Sequence, residues 1–119
     1  MPYVDGFVIP VPKKKLGAYV RMAQKAGKVW REHGALEYRE CAGDDLKSKF
    51  GIPFPRSAKV KPGETVIFSW ILFKSRAHRD RVNAKAMKDP RIMEMCDSRS
   101  MPFDANRMVY GGFKVFVAN

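Results

Sequence analysis

The chain has 119 residues, 45% of them hydrophobic and 29% charged, so it is long enough to bury the core of one domain and too short for two. Its 23 Lys and Arg residues outnumber 12 Asp and Glu residues, and the formal net charge of +11 favours anionic partners: nucleic acid, anionic lipid headgroups or acidic metabolites. No apolar run is long enough to cross a bilayer, and the first residues carry no secretory signal, so we expect a soluble cytoplasmic protein.

The spacing of apolar residues predicts a strand, a helix and a strand, then, after a long loop, a strand, a helix and a strand. Aromatic and β-branched residues alternate over residues 3–10, as in a strand. Over residues 13–33 the apolar positions recur at helical spacing, and Gly34 provides a stop. Ser75 is a suitable N-cap for a second helix that ends before Asp89-Pro90. The other predicted elements are strands over residues 36–42, 64–73 and 107–117 and a helical turn around residues 91–96.

This βαββαβ order is typical of the ferredoxin-like α+β fold, in which an antiparallel four-stranded sheet carries two helices on one face. The third predicted strand is apolar on both sides, with Phe68 and Trp70 facing one way and Ile67 and Ile71 the other. Two helices cover only one face, and soluble proteins avoid exposing a large apolar surface. We therefore predict a homodimer of single-domain chains (residues 1–119) in which a second copy closes a barrel.

The loop over residues 43–61 is too long for a plain hairpin connection. It carries Phe50, Ile52 and Phe54 between Gly and Pro residues, so it is either an arm that packs across the dimer or a lid over a cavity. Of the two we favour the arm, because aromatic residues in loops more often pack than gate.

Asp5 is the polar residue most suggestive of chemistry, because the first strand is central in this fold and its carboxylate should be buried on the sheet. A buried charge needs a partner, and the last-strand region offers Asp104, Arg107, Tyr110 and Lys114. Asp5 is then either a general base, with Arg107 as a second polar group, or one half of a structural ion pair.

His78 and Glu40 are weaker candidates for a site. His78 lies in an Arg-rich first helical turn, where it is either solvated or, if that helix end faces a cavity, a proton carrier. An edge-strand salt bridge with Arg39 accounts for Glu40. The histidines and the two cysteines are too far apart in sequence for a metal site, so we expect neither metal nor cofactor. Without a Cys-x-x-Cys motif, the cysteines are expected to be ordinary buried thiols.

Three stretches carry a resemblance to a known family. They are Tyr3-Val4-Asp5-Gly6-Phe7, Phe68-Ser69-Trp70, and a segment from Ser100-Met101-Pro102-Phe103-Asp104 through Arg107-Met108-Val109-Tyr110 into Gly111-Gly112-Phe113-Lys114. Over nearly its whole length the chain resembles an uncharacterised bacterial family, domain of unknown function 1428, of the dimeric α/β-barrel superfamily. The resemblance implies a ferredoxin-like dimer. That superfamily includes metal-independent oxygenases, haem-degrading enzymes and small-molecule isomerases, but no catalytic motif of a characterised branch is present.

Members of that superfamily usually have a cavity between the sheet and its covering elements. If this chain has one, the resemblance implies that Tyr19, Trp30, Phe68 and Trp70 line it, with Asp5 as a polar group. The protein is then a small-molecule-binding protein or a cofactor-free enzyme. The alternative is that these aromatic residues are plain core.

The first predicted helix supports an alternative function in nucleic-acid binding. Arg21, Lys25 and Lys28 lie opposite its apolar stripe, and the like charges of Arg21 and Lys25 are four residues apart, which is unfavourable without an anionic partner. A βαββαβ sheet with aromatic residues is also similar to an RNA-recognition module. The third strand lacks the glycine and basic residue of that signature, however, and a dimer would cover the sheet, so a solvated basic face is the simpler interpretation. Membrane binding is not expected, because the helix needs its apolar side for the sheet.

Overall fold

The computed structural model describes residues 1–97, 99 and 101–119. In chain order its elements are β1 (Tyr3–Pro12), α1 (Leu16–Glu32), β2 (Glu37–Ala42), α2 (Phe54–Ser57), β3 (Glu64–Phe73), α3 (Arg76–Met87), α4 (Pro90–Met95) and β4 (Val109–Lys114), with 3-10 turns at Lys13–Lys15 and Ala105–Arg107. The strands pair antiparallel in the order β2-β3-β1-β4. This order confirms the predicted ferredoxin-like α+β fold.

The two faces of the sheet differ in what covers them. The covered face packs on α1, α3 and α4 and buries the alternate residues Ile9, Val11, Ile71 and Phe73. The opposite face, called the open face below, leaves large apolar side chains in contact with solvent. Among them Phe68, Val109 and Phe113 are 45%, 54% and 61% exposed. The predicted placement of the helices on one face is therefore confirmed.

Side-chain caps set the start of the helices in the second half of the chain. Ser75 precedes α3, and its Oγ accepts a hydrogen bond from the backbone N–H of His78 at 3.1 Å, as predicted for an N-cap. Asp89 caps α4 in the same way by accepting from the N–H of Arg91 at 2.9 Å. Between α3 and α4 the helical path is therefore interrupted for two residues, Lys88 and Asp89, and Asp89 has an extended backbone.

The last strand is shorter than the predicted span 107–117. Tyr3, the first residue of β1, pairs with Lys114, and among the described residues only the bond from the N–H of Val115 to the carbonyl of Pro2 (3.0 Å) continues the pairing. At the other end, residue 107 belongs to a 3-10 turn capped by Asp104, which accepts from the N–H of Asn106 at 3.0 Å. The length of the partner strand thus decides where β4 stops.

The long loop packs toward the open face. Its short helix α2 places Phe54 edge-on to Phe68, with ring centroids 6.0 Å apart, while Phe50 and Ile52 stay exposed. Both cysteines, Cys41 and Cys96, are exposed free thiols, so the expectation that they are buried is wrong. Cys41 follows the outward alternation of the edge strand β2, and Cys96 lies just after α4 ends.

Candidate functional site

A cleft of about 440 Å³ lies between the covered face of the sheet and α1, α3, α4 and residues 101–108. Its walls are mostly apolar and include five methionines, namely Met22, Met87, Met95, Met101 and Met108. Methionine is flexible and polarizable, so such walls adapt to ligands of irregular shape. The polar side chains that reach the cleft fall into two groups on its floor, one around Asp5 and one around Glu40.

Asp5 lies in β1, is only 1% exposed, and is held from α3. Its Oδ2 accepts a hydrogen bond from Nδ2 of Asn83 at 3.0 Å, and Oδ1 of Asn83 in turn accepts from Nε1 of Trp30 at 2.9 Å. Its Oδ1 lies 3.3 Å from Nη1 of Arg79, close enough for an ion pair, yet no donor of the described residues meets it with hydrogen-bond geometry. Asp5 therefore lines the cleft with a buried Oδ1 that faces Arg79, and the Tyr110 hydroxyl also lies close to the carboxylate.

Arg79 connects Asp5 to the outer edge of the sheet. Its Nη1 donates to the hydroxyl of Tyr110 at 2.9 Å, and its Nη2 donates to the hydroxyl of Tyr3 at 3.3 Å, with the guanidinium 4.9 Å from the centre of the Tyr3 ring. Partial burial and the nearby Asp5 carboxylate raise the pKa of Tyr110. The Tyr3 ring lies over Gly112, where a Cβ would be 2.5 Å from the Tyr3 hydroxyl, so only glycine leaves room for this arrangement.

Glu40 lies in β2 at the other end of the cleft floor and is held by two phenols. Its Oε1 accepts from the hydroxyl of Tyr19 at 2.8 Å, and its Oε2 accepts from the hydroxyl of Tyr38 at 2.7 Å. Burial, reinforced by the Glu40 carboxylate, raises the pKa of both tyrosines well above the usual range. Both phenols therefore stay protonated and remain donors at neutral pH.

Aromatic rings surround the Glu40 carboxylate. Trp30 lies beside Tyr38, with ring centroids 6.5 Å apart, and Phe103 lies edge-on to Tyr19 at 5.6 Å. Tyr19, Tyr38 and Glu40 also line a second groove, of about 690 Å³, between α1 and the edge strand β2. These three side chains therefore separate the cleft from the groove, and Glu40 can be approached from both.

The structure separates the aromatic residues that were predicted to form one pocket. Tyr19 and Trp30 line the cleft, but Phe68 and Trp70 point to the open face, because side chains of β3 alternate between the faces. The four cannot line one cavity. The prediction that Asp5 is buried on the covered face agrees with its 1% exposure.

Arg107 is not a partner of Asp5, so this expected pairing is wrong. Its Nη1 and Nη2 donate to the two carboxylate oxygens of Glu64 at 2.7 and 2.9 Å, and Nη2 also donates to the carbonyl of Lys59 at 2.8 Å. Arg107 thus ties the turn before β4 to the start of β3. Its contribution is structural, away from the cleft.

His78 also lies outside the cleft lining. Its Nδ1 accepts from the backbone N–H of Lys74 at 3.0 Å, and its ring packs edge-on to Phe73. Burial and the charges of Lys74, Arg81 and Lys85 lower the pKa of His78, which keeps the ring neutral. A proton carrier facing a cavity is therefore not its role in this structure.

Arg79, Asn83 and Glu40 are the site residues that the sequence reasoning missed or undervalued. Arg39 was expected to form a salt bridge with Glu40. It pairs instead with Glu37, at 3.2 Å, on the outward side of β2. A signal for the α3 pair existed: Arg79, Val82, Asn83 and Ala86 follow a helical i, i+3, i+4, i+7 spacing, with Val82 and Ala86 buried. Arg79 and Asn83 therefore share the buried face of α3.

The basic residues proposed for nucleic-acid binding are exposed on α1. Arg21, Lys25 and Lys28 lie on its outer side, and no ion pair to any of them occurs in the part of the chain that the structure describes. They are on the opposite side of the molecule from the aromatic residues of the open face. A combined basic and aromatic nucleic-acid surface is therefore not formed within one chain.

Metal ligands and membrane-spanning helices are the two remaining features that would point to another kind of site. Across residues 1–97, 99 and 101–119, no three His, Cys, Asp or Glu side chains come together as a metal site requires. Within the same residues, no helix has the length and apolar character needed to span a membrane.

Comparisons with known proteins agree with the fold. The family described as "Protein of unknown function (DUF1428)" matches residues 2–105. "Uncharacterized protein YbaA" from Escherichia coli K12 is 44% identical over 117 residues, 98% of each chain, and the YbaA of Shigella flexneri matches equally. Among solved structures, Rv0793 from Mycobacterium tuberculosis superimposes with a TM-score of 0.59 at 11% identity, covering 99% of this chain and 98% of that one. An uncharacterized NIPSNAP domain protein from Burkholderia xenovorans gives 0.56 at 11% identity, with 98% and 99% covered.

Proposed function

Because the chain belongs to the DUF1428 family of proteins of unknown function, its chemistry has to be inferred from its own residues, and we propose that it binds a small molecule in the cleft beside Asp5. The observation that carries this proposal is the Asp5 carboxylate, which lines an apolar cleft of about 440 Å³ and whose Oδ1 has the Arg79 guanidinium beside it but no hydrogen bond of good geometry from the residues that the structure describes. Ligand sites are typically mainly apolar cavities of this size, with a few convergent polar groups that orient the ligand. The likeness to solved structures supports the fold and adds no substrate.

The arrangement around Asp5 suits a cofactor-free enzyme as well as a binding protein. A ligand with an acidic O–H or an activated C–H next to the Asp5 carboxylate can pass its proton to that group, and the electron pair then stays on the ligand. Arg79, 3.3 Å away, stabilises the ionised carboxylate before transfer, and Asn83 fixes its orientation through Oδ2. Asp5 would act as the general base, with Arg79 and Asn83 as positioning residues.

We further propose that the working form is a homodimer in the cytoplasm, with the open faces of two chains packed against each other. Phe68, Val109 and Phe113 lie on one continuous sheet surface. More than half of Val109 and of Phe113 is exposed in the single chain. Surfaces of this kind on soluble proteins usually mark an interface. The free thiols Cys41 and Cys96 fit a reducing compartment.

Native mass spectrometry of gently purified protein tests the proposal. We expect a dimer that carries a small extra mass, and Asp5→Asn is expected to keep the dimer but lose that mass, because the amide offers a donor where the ligand meets an acceptor. Asp80→Asn is the matched control: Asp80 lies 3.0 Å from Nε of the same Arg79 but on the exposed side. This variant should keep the ligand.

Two other results would favour different functions. A dimer without any small ligand that retains nucleic acid at low salt would support the second candidate, phosphate binding by Arg21, Lys25 and Lys28, which the exposure of these cations on α1 favours. A variant Asp5→Asn that falls apart into unfolded monomers would show that Asp5 and Arg79 form a structural ion pair.

A further inference from the structure

The two carboxylates on the cleft floor differ in how their charges are balanced. Asp5 has the guanidinium of Arg79 at 3.3 Å as a counter-charge. Glu40 has two neutral phenol donors, and within the described residues no Lys, Arg or His nitrogen lies within 4 Å of its oxygens. A partly buried carboxylate without a counter-ion favours a cation that enters with a ligand.

The surroundings of Glu40 add a second preference for a cation. Tyr19 and Tyr38 point their hydroxyls at the carboxylate, Trp30 packs beside Tyr38, and an ammonium group bound here gains further where it meets the face of one of these rings. Each oxygen of Glu40 accepts one hydrogen bond from a tyrosine, which leaves further acceptor capacity on both. A charged N–H donor can use that capacity, whereas an anionic group would be repelled by the Glu40 carboxylate itself.

We propose that the Glu40 end of the cleft binds the cationic nitrogen of an amine or ammonium ligand, whose apolar body lies among the methionines. This inference rests on the proposed function and names the ligand class for the same cleft. The strand register sets the scale of the ligand: Glu40 is opposite Ser69, Ser69 is opposite Phe7, and Asp5 is two residues further along β1. At ordinary strand spacing the Cα atoms of Glu40 and Asp5 are about 12 Å apart, so a ligand with a second donor can reach both carboxylates.

The net charge of +11 makes binding of an ammonium probe easier to interpret. A strongly cationic protein repels small cations over most of its surface, so adventitious binding of an ammonium probe elsewhere is disfavoured. Three probes with the same aromatic body separate the possibilities: phenethylammonium, phenethyl alcohol and phenylacetate, each titrated by calorimetry into the whole protein at millimolar concentration.

Phenethylammonium should bind about tenfold more tightly than phenethyl alcohol, since a charge-assisted hydrogen bond is roughly twice as strong as a neutral one, and phenylacetate should bind weakest. Glu40→Gln should remove the preference for the ammonium probe and leave alcohol binding in place. Glu37→Gln is the matched control, because Glu37 lies in the same strand but faces away from the cleft and pairs with Arg39. It should behave as the wild type does.

Tyr38→Phe provides a second test in case Glu40→Gln does not fold. It removes one donor from Glu40 but keeps the charge, so the preference for the ammonium probe should persist. If the alcohol or phenylacetate binds the wild type as well as the ammonium does, the cation proposal is overturned while the small-molecule function stands. If none of the three binds, the cation site is overturned, and native mass spectrometry of the wild type decides separately whether the small-molecule function stands.

Discussion

Gly27 lies inside α1, where helix propensity disfavours glycine, and the Tyr38 ring of the candidate site explains why a glycine is needed there. Glycine in a helix interior is about 1 kcal/mol less favourable than alanine. A Cβ at this position, however, would lie 2.9 Å from Cδ1 of the Tyr38 ring, the same ring that donates to Glu40. Residue-scale packing therefore overrides propensity, and the glycine keeps the phenol in place.

Gly27→Ala should lower stability by about 1 kcal/mol despite its better propensity, because overpacking typically costs about 1–3 kcal/mol. It should also displace Tyr38 from Glu40 and weaken binding of the ammonium probe. Urea unfolding and calorimetry measure the two effects. Gly17→Ala is the control in the same helix: the nearest atom to its Cβ would be the end of Arg21, 3.6 Å away, so stability should rise slightly. A stabilised Gly27→Ala would contradict this packing argument.

Asp5 shows the reach and the limit of reasoning from single residues. Its burial follows from the position of β1 in the middle of the sheet, and the need for a partner follows from its charge. Of the partners expected in the neighbouring β4 region, Tyr110 does lie close to the carboxylate, but the counter-charge is Arg79 of α3, 74 residues further along the chain than Asp5. Strand order identifies sheet neighbours, whereas the rotation of a helix over the sheet is decided by side-chain packing.

At the scale of elements, the pair Glu64–Arg107 joins three segments: β3, the turn before β4 and the end of the long loop. The bidentate contact with Arg107, at 2.7 and 2.9 Å, and the N–H of Lys61 lower the pKa of Glu64 to about 2. In the unfolded chain the carboxyl has its ordinary pKa of 4.5. The unfolded state therefore binds the proton first, and the stabilisation present above pH 4.5 is lost as the pH falls toward 2.

Glu64→Gln should therefore lower the free energy of unfolding at pH 7 and flatten its decline between pH 4.5 and 2. Urea unfolding at a series of pH values measures both. Glu94→Gln is a control on the exposed side of α4, and it should keep the stability and the slope of the wild type. An unchanged slope in Glu64→Gln would mean that another carboxyl group dominates the acid response.

For the helix α3, the sequence predicted both ends correctly but did not predict which face is buried. Its N-cap Ser75 and its end before Asp89-Pro90 follow from local hydrogen bonding and from the restriction that proline places on the preceding residue. Its polar residues do not by themselves reveal which face is buried, because Arg79 lies in a run of charged residues. The buried Val82 and Ala86 one turn later set that face.

At the scale of the whole molecule, the open face of the sheet has to be covered or solvated. Phe68, Val109 and Phe113 lie on it, and the aromatic Phe54 of the long loop packs at its side. None of the described residues that line the cleft comes from this loop, so the loop does not cover the cleft in this structure, and the arm stays a prediction.

Phe113→Asp should convert the proposed dimer into a monomer, because a carboxylate in an apolar interface loses its hydration without gaining a partner. Phe113 is 61% exposed in the single chain, so the substitution should leave the fold of the chain intact. Light scattering at micromolar concentration measures the mass. Met93→Asp, on an exposed residue of α4 away from this face, is the control and should remain dimeric. A stable monomeric wild type would refute the homodimer.

The sequence by itself determined the order of the main strands and helices, the ferredoxin-like sheet, the N-cap Ser75 and the burial of Asp5. These depend on local hydrogen bonding and on the periods of helices and strands, which are properties of short segments. Tertiary structure decided the rest. Phe68 and Trp70 lie on the open face and not in the cleft. Arg107 pairs with Glu64, and Asp5 pairs with Arg79. Tertiary structure also decided that Glu40 lies between two phenols. Such contacts join segments that are distant in sequence. Packing across the sheet, rather than any local pattern, therefore decides which charged residues pair with each other.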